Sequence, residues 1–177
     1  MKKVISFLRS MKFGMILLVL VIACSLVMKN YYDSSILSDM ESKARTAATY
    51  FSTYAGGDPD RGDYLTAAQD YVTSFGDGSK IELQFLNPAG KVVYSSNGLT
   101  LSGTMPGTAD ITQLQDSGEI ASWKEVSPQT GERITAVSAP LIYDDDLVGI
   151  MRYVTSMRVV DRQVTTMTLG AAALALG

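Results

Sequence analysis

Histidine is absent from the 177 residues, and cysteine occurs once, as Cys24. Without histidine the chain cannot form a Ser-His-Asp or Cys-His catalytic group, and no imidazole can act as a general base or metal ligand. A single cysteine excludes an intrachain disulfide and a cysteine-rich zinc site. The sequence therefore excludes catalysis and metal binding that depend on histidine or on several cysteines. Paired Asp and Glu residues could hydrolyse glycosides, but no such pair stands out, so we predict no catalytic residue, no metal site and no cofactor in this chain.

Charge is distributed unevenly along the chain. Residues 1–12 carry four basic residues and no acidic one, whereas residues 30–156 carry eight basic and seventeen acidic residues, a net charge of −9. A nucleic-acid partner needs a basic surface. The acidic main segment therefore predicts no nucleic-acid partner, and the basic N-terminus needs a separate explanation.

An uncharged apolar run, residues 13–28, follows the basic N-terminus and ends at Lys29. As a helix it would be roughly 24 Å long, near the lower limit for crossing a bilayer. Lys12 and Lys29 flank it and can extend toward the headgroups. Because basic residues favour the cytoplasmic side, we predict a cytoplasmic N-terminus (1–12), a transmembrane helix (13–29) in the cell membrane, and an extracytoplasmic domain beyond it.

Two other interpretations of this N-terminus stay open. A cleaved signal peptide has a basic start and a short apolar core, but no convincing small-residue cleavage site follows the run. The stretch Val21–Cys24 is similar to the lipobox of bacterial lipoproteins, in which the cysteine carries lipid. The apolar run continues past Cys24 to Met28, which favours an uncleaved helix in which Cys24 faces lipid and does no chemistry.

The C-terminal end is apolar as well. No charged residue follows Arg162, and the last fourteen residues, 164–177, are uncharged. This length is too short to cross a bilayer alone. We therefore expect residues 161–177 to begin a second transmembrane helix that is truncated. The alternative is a weakly apolar C-terminal helix packed on the domain.

The pattern predicts a long helix over residues 30–55, directly after the membrane segment. Its apolar residues recur every three or four positions on one helical face. They are Leu37, Met40, Ala44, Ala47, Phe51 and Tyr54. We call the first five the helix stripe. It is expected to be buried against the chain's own sheet or against a second copy of the chain.

The remainder of the segment alternates between turn residues and short periodic runs. A helix is predicted over residues 63–75, and alternating apolar residues predict strands. The strands are residues 81–86, 91–96, 119–126, 132–143 and 147–155, with a short helix over 110–116. Strands joined in sequence favour an antiparallel meander with the helices on one face, which is an α+β fold. Pro140 predicts an edge or a bulge in its strand.

Two parts of the chain resemble the sheet of a known family. Residues 85–96, Phe-Leu-Asn-Pro-Ala-Gly-Lys-Val-Val-Tyr-Ser-Ser, resemble the Asp-x-x-Gly-x-Val-x-x-(Ser/Thr) hairpin of extracytoplasmic PAS-like sensor domains, the Cache family. Residues 131–141 and 148–156 look like the last two strands of such domains in bacterial sensor histidine kinases. Asn87 departs from the pattern, since an acidic residue is frequent at that turn position.

The resemblance implies a PAS-like sensor domain over residues 30–160, with a five-stranded antiparallel sheet framed by the two membrane helices. It implies the sensing module of a membrane-bound two-component histidine kinase. This fragment would not itself be an enzyme, since the kinase regions would follow residue 177. The alternatives are the sensor of a chemoreceptor or cyclic-dinucleotide enzyme, and a membrane-anchored or lipoprotein binding module without kinase output.

The resemblance also implies a pocket on one sheet face for a small-molecule ligand of unknown identity. The polar and aromatic candidates to line it are Tyr94, Trp123, Arg133, Tyr143 and Arg152. Arg152 could bind a carboxylate, or pair with Glu132 or Asp144 on a solvated face, and Tyr94 and Trp123 could equally pack in the core. In a parallel homodimer, the helix stripe would transmit the ligand state across the membrane.

Overall fold

A computed structural model describes the backbone of residues 2–76, 81–98, 100–158, 166 and 170, with side chains for all of these except 2–13 and 17. The chain divides into two compact units. One comprises Met1–Ser35 and Arg158–Gly177, and the other comprises Ile36–Met157. The predicted second transmembrane segment, residues 161–177, lies outside the described residues apart from positions 166 and 170.

The first unit contains the N-terminal part of helix α1, which runs over Lys2–Ala55. The stretch from Gly14 onward is the one helix among the described residues that is long and apolar enough to cross a membrane, judged by length and composition. Large apolar side chains are exposed along it, including Val19, Leu26 and Val27. An exposed apolar surface of this kind suits a lipid environment. The orientation of the segment stays a prediction.

The second unit contains the rest of α1 and seven further elements among the described residues. They are α2 (Arg61–Thr73), β1 (Glu82–Leu86), β2 (Val92–Ser95), α3 (Ala109–Ser117), β3 (Ala121–Val126), β4 (Arg133–Tyr143) and β5 (Asp146–Ser156). The strands form one sheet in the order β2-β1-β5-β4-β3, with every neighbouring pair antiparallel. The predicted α+β class, with a five-stranded antiparallel sheet and a long N-terminal helix, is confirmed.

The strand order corrects the predicted meander. Strand β1 is not an edge strand, because it pairs with β2 on one side and with β5 on the other. The connection between β2 and β3, residues 96–120, carries α3 and is long enough to place β3 at the far edge of the sheet. Strand β5 then returns to the centre. A tight turn specifies only the two strands it joins, so the long connection left the order open.

Helices cover both faces of the sheet, whereas the sequence predicted one face. The part of α1 from Ile36 onward and α2 pack on one face, where Leu83 and Tyr153 join the main core. Helix α3 packs on the other face over a smaller cluster around Leu86 and Ile150. Because successive strand residues point to opposite faces, β1 and β5 each supply side chains to both clusters.

The helix stripe lies in the main core. Met40, Ala44, Ala47 and Phe51 are at most 1% exposed, and Leu37 is partly buried against the same cluster. The stripe is therefore buried against the chain's own sheet, which was the first of its two expected partners, the other being a second copy of the chain. The exposed side of α1 over this stretch is polar, with Ser42 and Thr49 among its residues.

Pro140 lies where β4 loses one of its neighbours. The pairing of β3 with β4 ends at Ser138, so Pro140 has a neighbouring strand on one side only, where it pairs with Ile150. The register of β4 against β5 also shifts between Leu141 and Ile142. A proline lacks the N–H that a central strand position would use. The predicted edge or bulge is therefore confirmed.

The acidic turn after β4 is a tight hairpin. Asp144 and Asp145 have φ angles of 51° and 62°, and the flanking Tyr143 and Asp146 pair directly. Two consecutive residues with positive φ are the requirement of a type I′ turn, and aspartate tolerates that region better than most residues. The turn fixes the long β4–β5 hairpin at the centre of the sheet.

Candidate functional site

One face of the sheet is only partly covered by helix. Helix α3 has nine residues and covers one end of this face. Beyond its N-terminus lies a cavity of about 370 Å³, which we call the sheet cavity. The sheet contributes Glu82, Gln84, Ile134, Arg152, Val154 and Ser156 to its lining. Its roof comes from two loops, the one that precedes α3 and the one between β3 and β4.

A buried ion pair forms the floor of the sheet cavity. The Arg152 side chain is 2% exposed and that of Asp110 is not exposed, and Arg152 Nε donates to Asp110 Oδ2 at 2.7 Å. Arg152 also donates from Nη2 to Thr108 Oγ1 at 2.9 Å and from Nη1 to Gln84 Oε1 at 3.1 Å. Buried charges are tolerated only when they are paired and hydrogen-bonded. One guanidinium therefore joins β5 to β1, to α3 and to the loop before α3.

Asp110 occupies a position that suits a carboxylate. It lies in the first turn of α3, where the helix dipole favours negative charge, and Thr108 is the N-cap residue. Its Oδ2 also accepts from Ser138 Oγ at 2.8 Å. Its Oδ1 is buried and has no hydrogen-bond partner among the described residues.

Side-chain hydrogen bonds hold the roof of the sheet cavity. Gln84 Nε2 donates to Thr100 Oγ1 at 2.9 Å, which ties the first loop to β1. Gln129 Nε2 donates to the Met105 carbonyl at 2.6 Å, which ties the two loops together. The first of these bonds is partly buried and the second is exposed, and each is worth about 1 kcal/mol. Two backbone bonds also tie the first loop to β2, from the Val92 N–H to the Thr104 carbonyl and from the Gly103 N–H to the Val92 carbonyl.

Two carboxylates lie at the other end of the cavity. Glu82, on β1, pairs across the sheet with Val154 on β5, and its Oε1 accepts from Ser95 Oγ at 2.6 Å. Glu132 precedes β4, and its Oε2 accepts from Ser156 Oγ at 2.8 Å. Among the described residues, no group of three or more acidic, cysteine or histidine side chains is placed to hold a metal ion.

Arg152 is the sequence-predicted site residue that lines the sheet cavity. Its partner is Asp110, not Glu132 or Asp144 as the solvated alternative had it. Tyr94 lines a different cavity of about 440 Å³, between α2 and the β1–β2 hairpin, and stacks on Phe85 with ring centroids 6.1 Å apart. These two candidates therefore lie in separate sites.

The other three predicted residues line neither of these two cavities. Trp123 is half-buried on the edge strand β3, and Arg133 is half-buried at the start of β4. Tyr143 donates from its hydroxyl to the Pro59 carbonyl at 2.7 Å and packs on Tyr64, with ring centroids 5.4 Å apart. The structure therefore does not bring the five predicted residues together.

Sequence reasoning missed four residues of the cavity floor. They are Gln84, Thr108, Asp110 and Ser138. Two of them carried a weak signal, since Gln84 and Ser138 are polar residues flanked on both sides by apolar ones within their strands. Asp110 was interpreted as the start of a helix, which is correct but incomplete. Its partner is 42 positions away, and local patterns say nothing about such a distance.

No protein-family profile and no curated protein matches the chain. Solved structures do share its fold. An extracellular ligand-binding receptor from Desulfohalobium retbaense has a TM-score of 0.59 at 17% identity, over 82% of this chain and 26% of that one. The ligand-binding domain of Mlp24, solved with asparagine, has a TM-score of 0.54 at 16% identity, over 85% of this chain and 62% of that one.

A methyl-accepting chemotaxis protein from Vibrio parahaemolyticus has a TM-score of 0.51 at 10% identity, over 77% of this chain and 98% of that one. The chain thus spans about a quarter of the first of these structures and about three fifths of the second. At such identities the likeness concerns the fold alone. It is the fold of extracytoplasmic PAS-like sensor domains, as the sequence resemblance implied.

Proposed function

We propose that this chain is the extracytoplasmic sensing module of a membrane-bound receptor and that a small molecule binds in its sheet cavity. The observation that carries the proposal is the buried Arg152–Asp110 pair under a cavity of about 370 Å³. Cavities of about 300–1,000 Å³ with a few converging polar groups are typical of small-molecule sites. The ligand-binding receptor from D. retbaense and the ligand-binding domain of Mlp24 support this function by analogy of fold.

The floor of the cavity offers a route from ligand to membrane. A ligand that moves the roof would change the bond that Arg152 donates to Thr108, and with it the position of β5. Strand β5 ends at Ser156, shortly before the chain leaves this domain. The helix stripe packs on the opposite face of the same sheet. If the sheet has two arrangements, each would favour its own position of α1. A ligand that binds one arrangement more tightly would then increase the population of that position.

The domain organisation completes the proposal. Residues 1–12 are cytoplasmic, residues 13–29 cross the membrane, residues 30–160 form the sensor, and residues 161–177 begin a second crossing. The positive-inside bias of the N-terminus supports this orientation. Because most of the helix stripe is buried in its own domain, we assign parallel dimer contacts to the exposed polar side of α1.

The output that we propose is a histidine kinase, on the sequence resemblance of β4 and β5. A chemoreceptor is the second candidate, favoured by the fold of the chemotaxis protein from V. parahaemolyticus. The two outputs leave different modifications. Membranes that contain the full-length protein are incubated with labelled ATP, or with labelled S-adenosylmethionine and a cytosolic extract that supplies methyltransferase. An acid-labile phosphoryl label supports the kinase, and a base-labile glutamyl methyl ester supports the chemoreceptor.

A ligand screen tests the sensing function. The whole chain in lipid nanodiscs is screened by thermal shift against small metabolites, first as wild type and then as Val154→Phe. Val154 lines the cavity, so phenylalanine fills it. Val126→Phe is the matched control, because Val126 is 59% exposed on β3 and lines neither cavity. We expect ligands whose stabilisation survives in Val126→Phe and disappears in Val154→Phe. Stabilisation that survives in both variants would place the site elsewhere.

The lipoprotein alternative has a separate test. Cys24 is exposed on α1 and could chemically accept a lipid. Cells that express the chain are grown with radiolabelled palmitate, and a Cys24→Ala variant is the control. We expect no cysteine-dependent label, since the membrane helix itself supplies the anchor. A label that disappears in Cys24→Ala would support the binding module without kinase output.

A further inference from the structure

The charges around the sheet cavity favour ligands of one sign. Three charged side chains line it among the described residues, namely Glu82, Glu132 and Arg152. The only cation of the three is already balanced, since Asp110 lies behind Arg152 at 2.7 Å. With Arg152 balanced, the carboxylate of Glu82, whose partner is a neutral hydroxyl, gives its part of the cavity a negative potential.

Arg152 is a poor receptor for a carboxylate ligand. Its guanidinium is 2% exposed and donates to Asp110, Thr108 and Gln84. An incoming carboxylate would have to compete with Asp110 for one cation, and the displaced carboxylate would remain buried without a partner. Burial of an unpaired charge is among the most unfavourable changes in a protein interior.

Glu82 is placed to receive a cation. It is half-buried on β1, next to Val154 in the lining. A hydroxyl, Ser95 Oγ, donates to its Oε1. Such a bond orients the carboxylate but leaves its negative charge unbalanced. In a partly desolvated cavity a fixed charge attracts its counter-ion more strongly than it does in water.

The rest of the lining is neutral and able to hydrogen-bond. Thr100, Gln129 and Thr130 supply hydroxyl and amide groups from the roof, Thr108 supplies a hydroxyl from the floor, and Ile134 and Val154 supply apolar area from the sheet. A bare metal ion would need several carboxylates in one place, which this lining lacks. An organic cation uses one carboxylate together with apolar and polar contacts.

We propose that the sheet cavity selects organic cations, such as primary or quaternary ammonium compounds, and disfavours carboxylates. The proposal rests on the sensing function given above and specifies its ligand class. Glu82 supplies the attractive charge at one end, and the Asp110-neutralised Arg152 closes the other end. The expectation from sequence that Arg152 binds a ligand carboxylate is replaced by this assignment.

Charged thiol reagents measure this selectivity directly. The whole chain in nanodiscs carries Cys24→Ala and Val154→Cys, which places the one thiol in the cavity beside Glu82. The thiol is modified in separate reactions by a cationic trimethylammonium methanethiosulfonate and by its anionic sulfonate analogue. The measured quantity is the ratio of the two modification rates, cationic over anionic. The thiolate fraction cancels in this ratio. Ser122→Cys, exposed on β3, corrects for intrinsic reactivity and for the net charge of the domain.

We expect the corrected ratio of the two rates to be about 7 in favour of the cationic reagent. For reagents of charge +1 and −1, this ratio corresponds to an electrostatic potential of about −kT/e at the thiol. Glu82→Gln, which keeps an oxygen for Ser95, should lower the ratio to less than half of that value. A corrected ratio of one or below would overturn the cation assignment while leaving an accessible cavity, and with it the sensing function, intact.

Two controls keep the outcomes separate. Ile134→Cys, at a lining position that is 9% exposed, repeats the measurement if Val154→Cys unfolds. If the thiol of the folded variant reacts with neither reagent until denaturant is added, the cavity is closed to solutes. That result would overturn the sensing function and the cation assignment together, whereas a wrong charge preference overturns the second alone.

Discussion

The two faces of the sheet are covered in different ways, although the same strands contribute side chains to both. The face under α1 and α2 is closed by aromatic packing, with Phe51, Tyr64 and Tyr71 in contact and ring centroids 5.5–5.6 Å apart. The face under α3 is closed only at one end, and its middle carries a buried ion pair instead of apolar side chains. The first face carries the main core, and the second carries the sheet cavity with its buried ion pair.

The difference follows from helix length. Twenty residues of α1 within this unit and the thirteen of α2 cover one face, whereas α3 has nine residues. The sheet beyond the α3 N-terminus must be covered by loops, whose polar groups need partners. Arg152 supplies one of those partners, since it donates to Thr108, and Gln84 supplies another by donating to Thr100. The cavity is therefore a consequence of a short helix that ends over a polar patch.

The largest expected effect is on the ion pair that distinguishes the cavity face. Asp110→Ala leaves Arg152 buried without its carboxylate, which should lower the free energy of unfolding by about 3–5 kcal/mol. Urea unfolding followed by Trp123 fluorescence measures it. Asp116→Ala is the control, because Asp116 is exposed in the same helix and should cost less than about 0.5 kcal/mol. Equal effects of the two would mean that the pair contributes no more than a surface residue.

The double variant Asp110→Leu with Arg152→Met sharpens the same point. Apolar replacement of both partners of a buried pair is often neutral or stabilising. We expect it to recover most of the stability lost in Asp110→Ala while it abolishes ligand stabilisation in the thermal-shift screen. Recovery of both stability and ligand response would show that the pair has no part in binding.

Close packing against Phe85, on the face under α1 and α2, makes Gly149 sensitive to substitution. A Cβ at this position would contact the Phe85 ring, with Cζ at 2.8 Å and the Leu86 carbonyl oxygen at 3.2 Å. Gly149→Ala should therefore cost about 1–3 kcal/mol, because a tightly packed ring cannot move freely. Gly76→Ala is the control, since nothing lies within 4 Å of its Cβ. A neutral Gly149→Ala would mean that the ring has space to shift.

Alkaline pH should destabilise the aromatic face. Burial raises the pKa of the Tyr64 phenol to about 12. It also raises the pKa of Tyr153, to which the hydrogen bond with Tyr71 adds. A phenol with a raised pKa binds its proton more tightly in the folded state, so its contribution is complete below pH 10 and is lost as pH rises.

We therefore expect the free energy of unfolding to fall by about 2 kcal/mol or more between pH 10 and pH 12. Urea titrations at stepped pH measure it, with tyrosinate absorbance as the second signal. In Tyr153→Phe the fall should be smaller, since one of the two phenols is removed. An unchanged slope in that variant would assign the effect to other groups.

The smallest expected effect concerns the roof of the cavity. Gln129→Ala removes one surface hydrogen bond to the Met105 carbonyl and should cost about 0.5–1 kcal/mol or less. Its larger effect should be on access, because the two roof loops lose their tie. We expect faster modification of the Val154→Cys thiol, with Gln113→Ala in α3 as an exposed control. An unchanged rate would mean that other contacts hold the roof.

Local patterns predicted the elements well and their arrangement less well. The alternation around Leu83 and Phe85, the Asn87–Gly90 turn and the apolar spacing of α1 are short-range signals. Asn87 itself holds its turn, since its Oδ1 accepts from the Lys91 N–H at 3.0 Å. The meander failed because the order of strands depends on a long connection, which periodicity does not specify.

The candidate site shows the same division. Arg152 was identified because an arginine in an apolar strand is unusual, but Asp110, Gln84 and Ser138 were not connected to it. A buried charge requires a partner, and which carboxylate provides it depends on three-dimensional distance. Tyr143 was predicted for the pocket, yet its hydroxyl bonds the Pro59 carbonyl instead.

The sequence by itself determined the absence of histidine chemistry in this chain, the apolar N-terminal run and the α+β composition. It also determined the contrast in charge between the basic residues 1–12 and the acidic residues 30–156. Each of these depends on residue type or on spacing within one helix or strand. Only the tertiary structure decided that β5 lies beside β1, that α3 covers one end of a sheet face, and that Asp110 neutralises Arg152. These depend on contacts between distant residues, whose free energy no local pattern encodes.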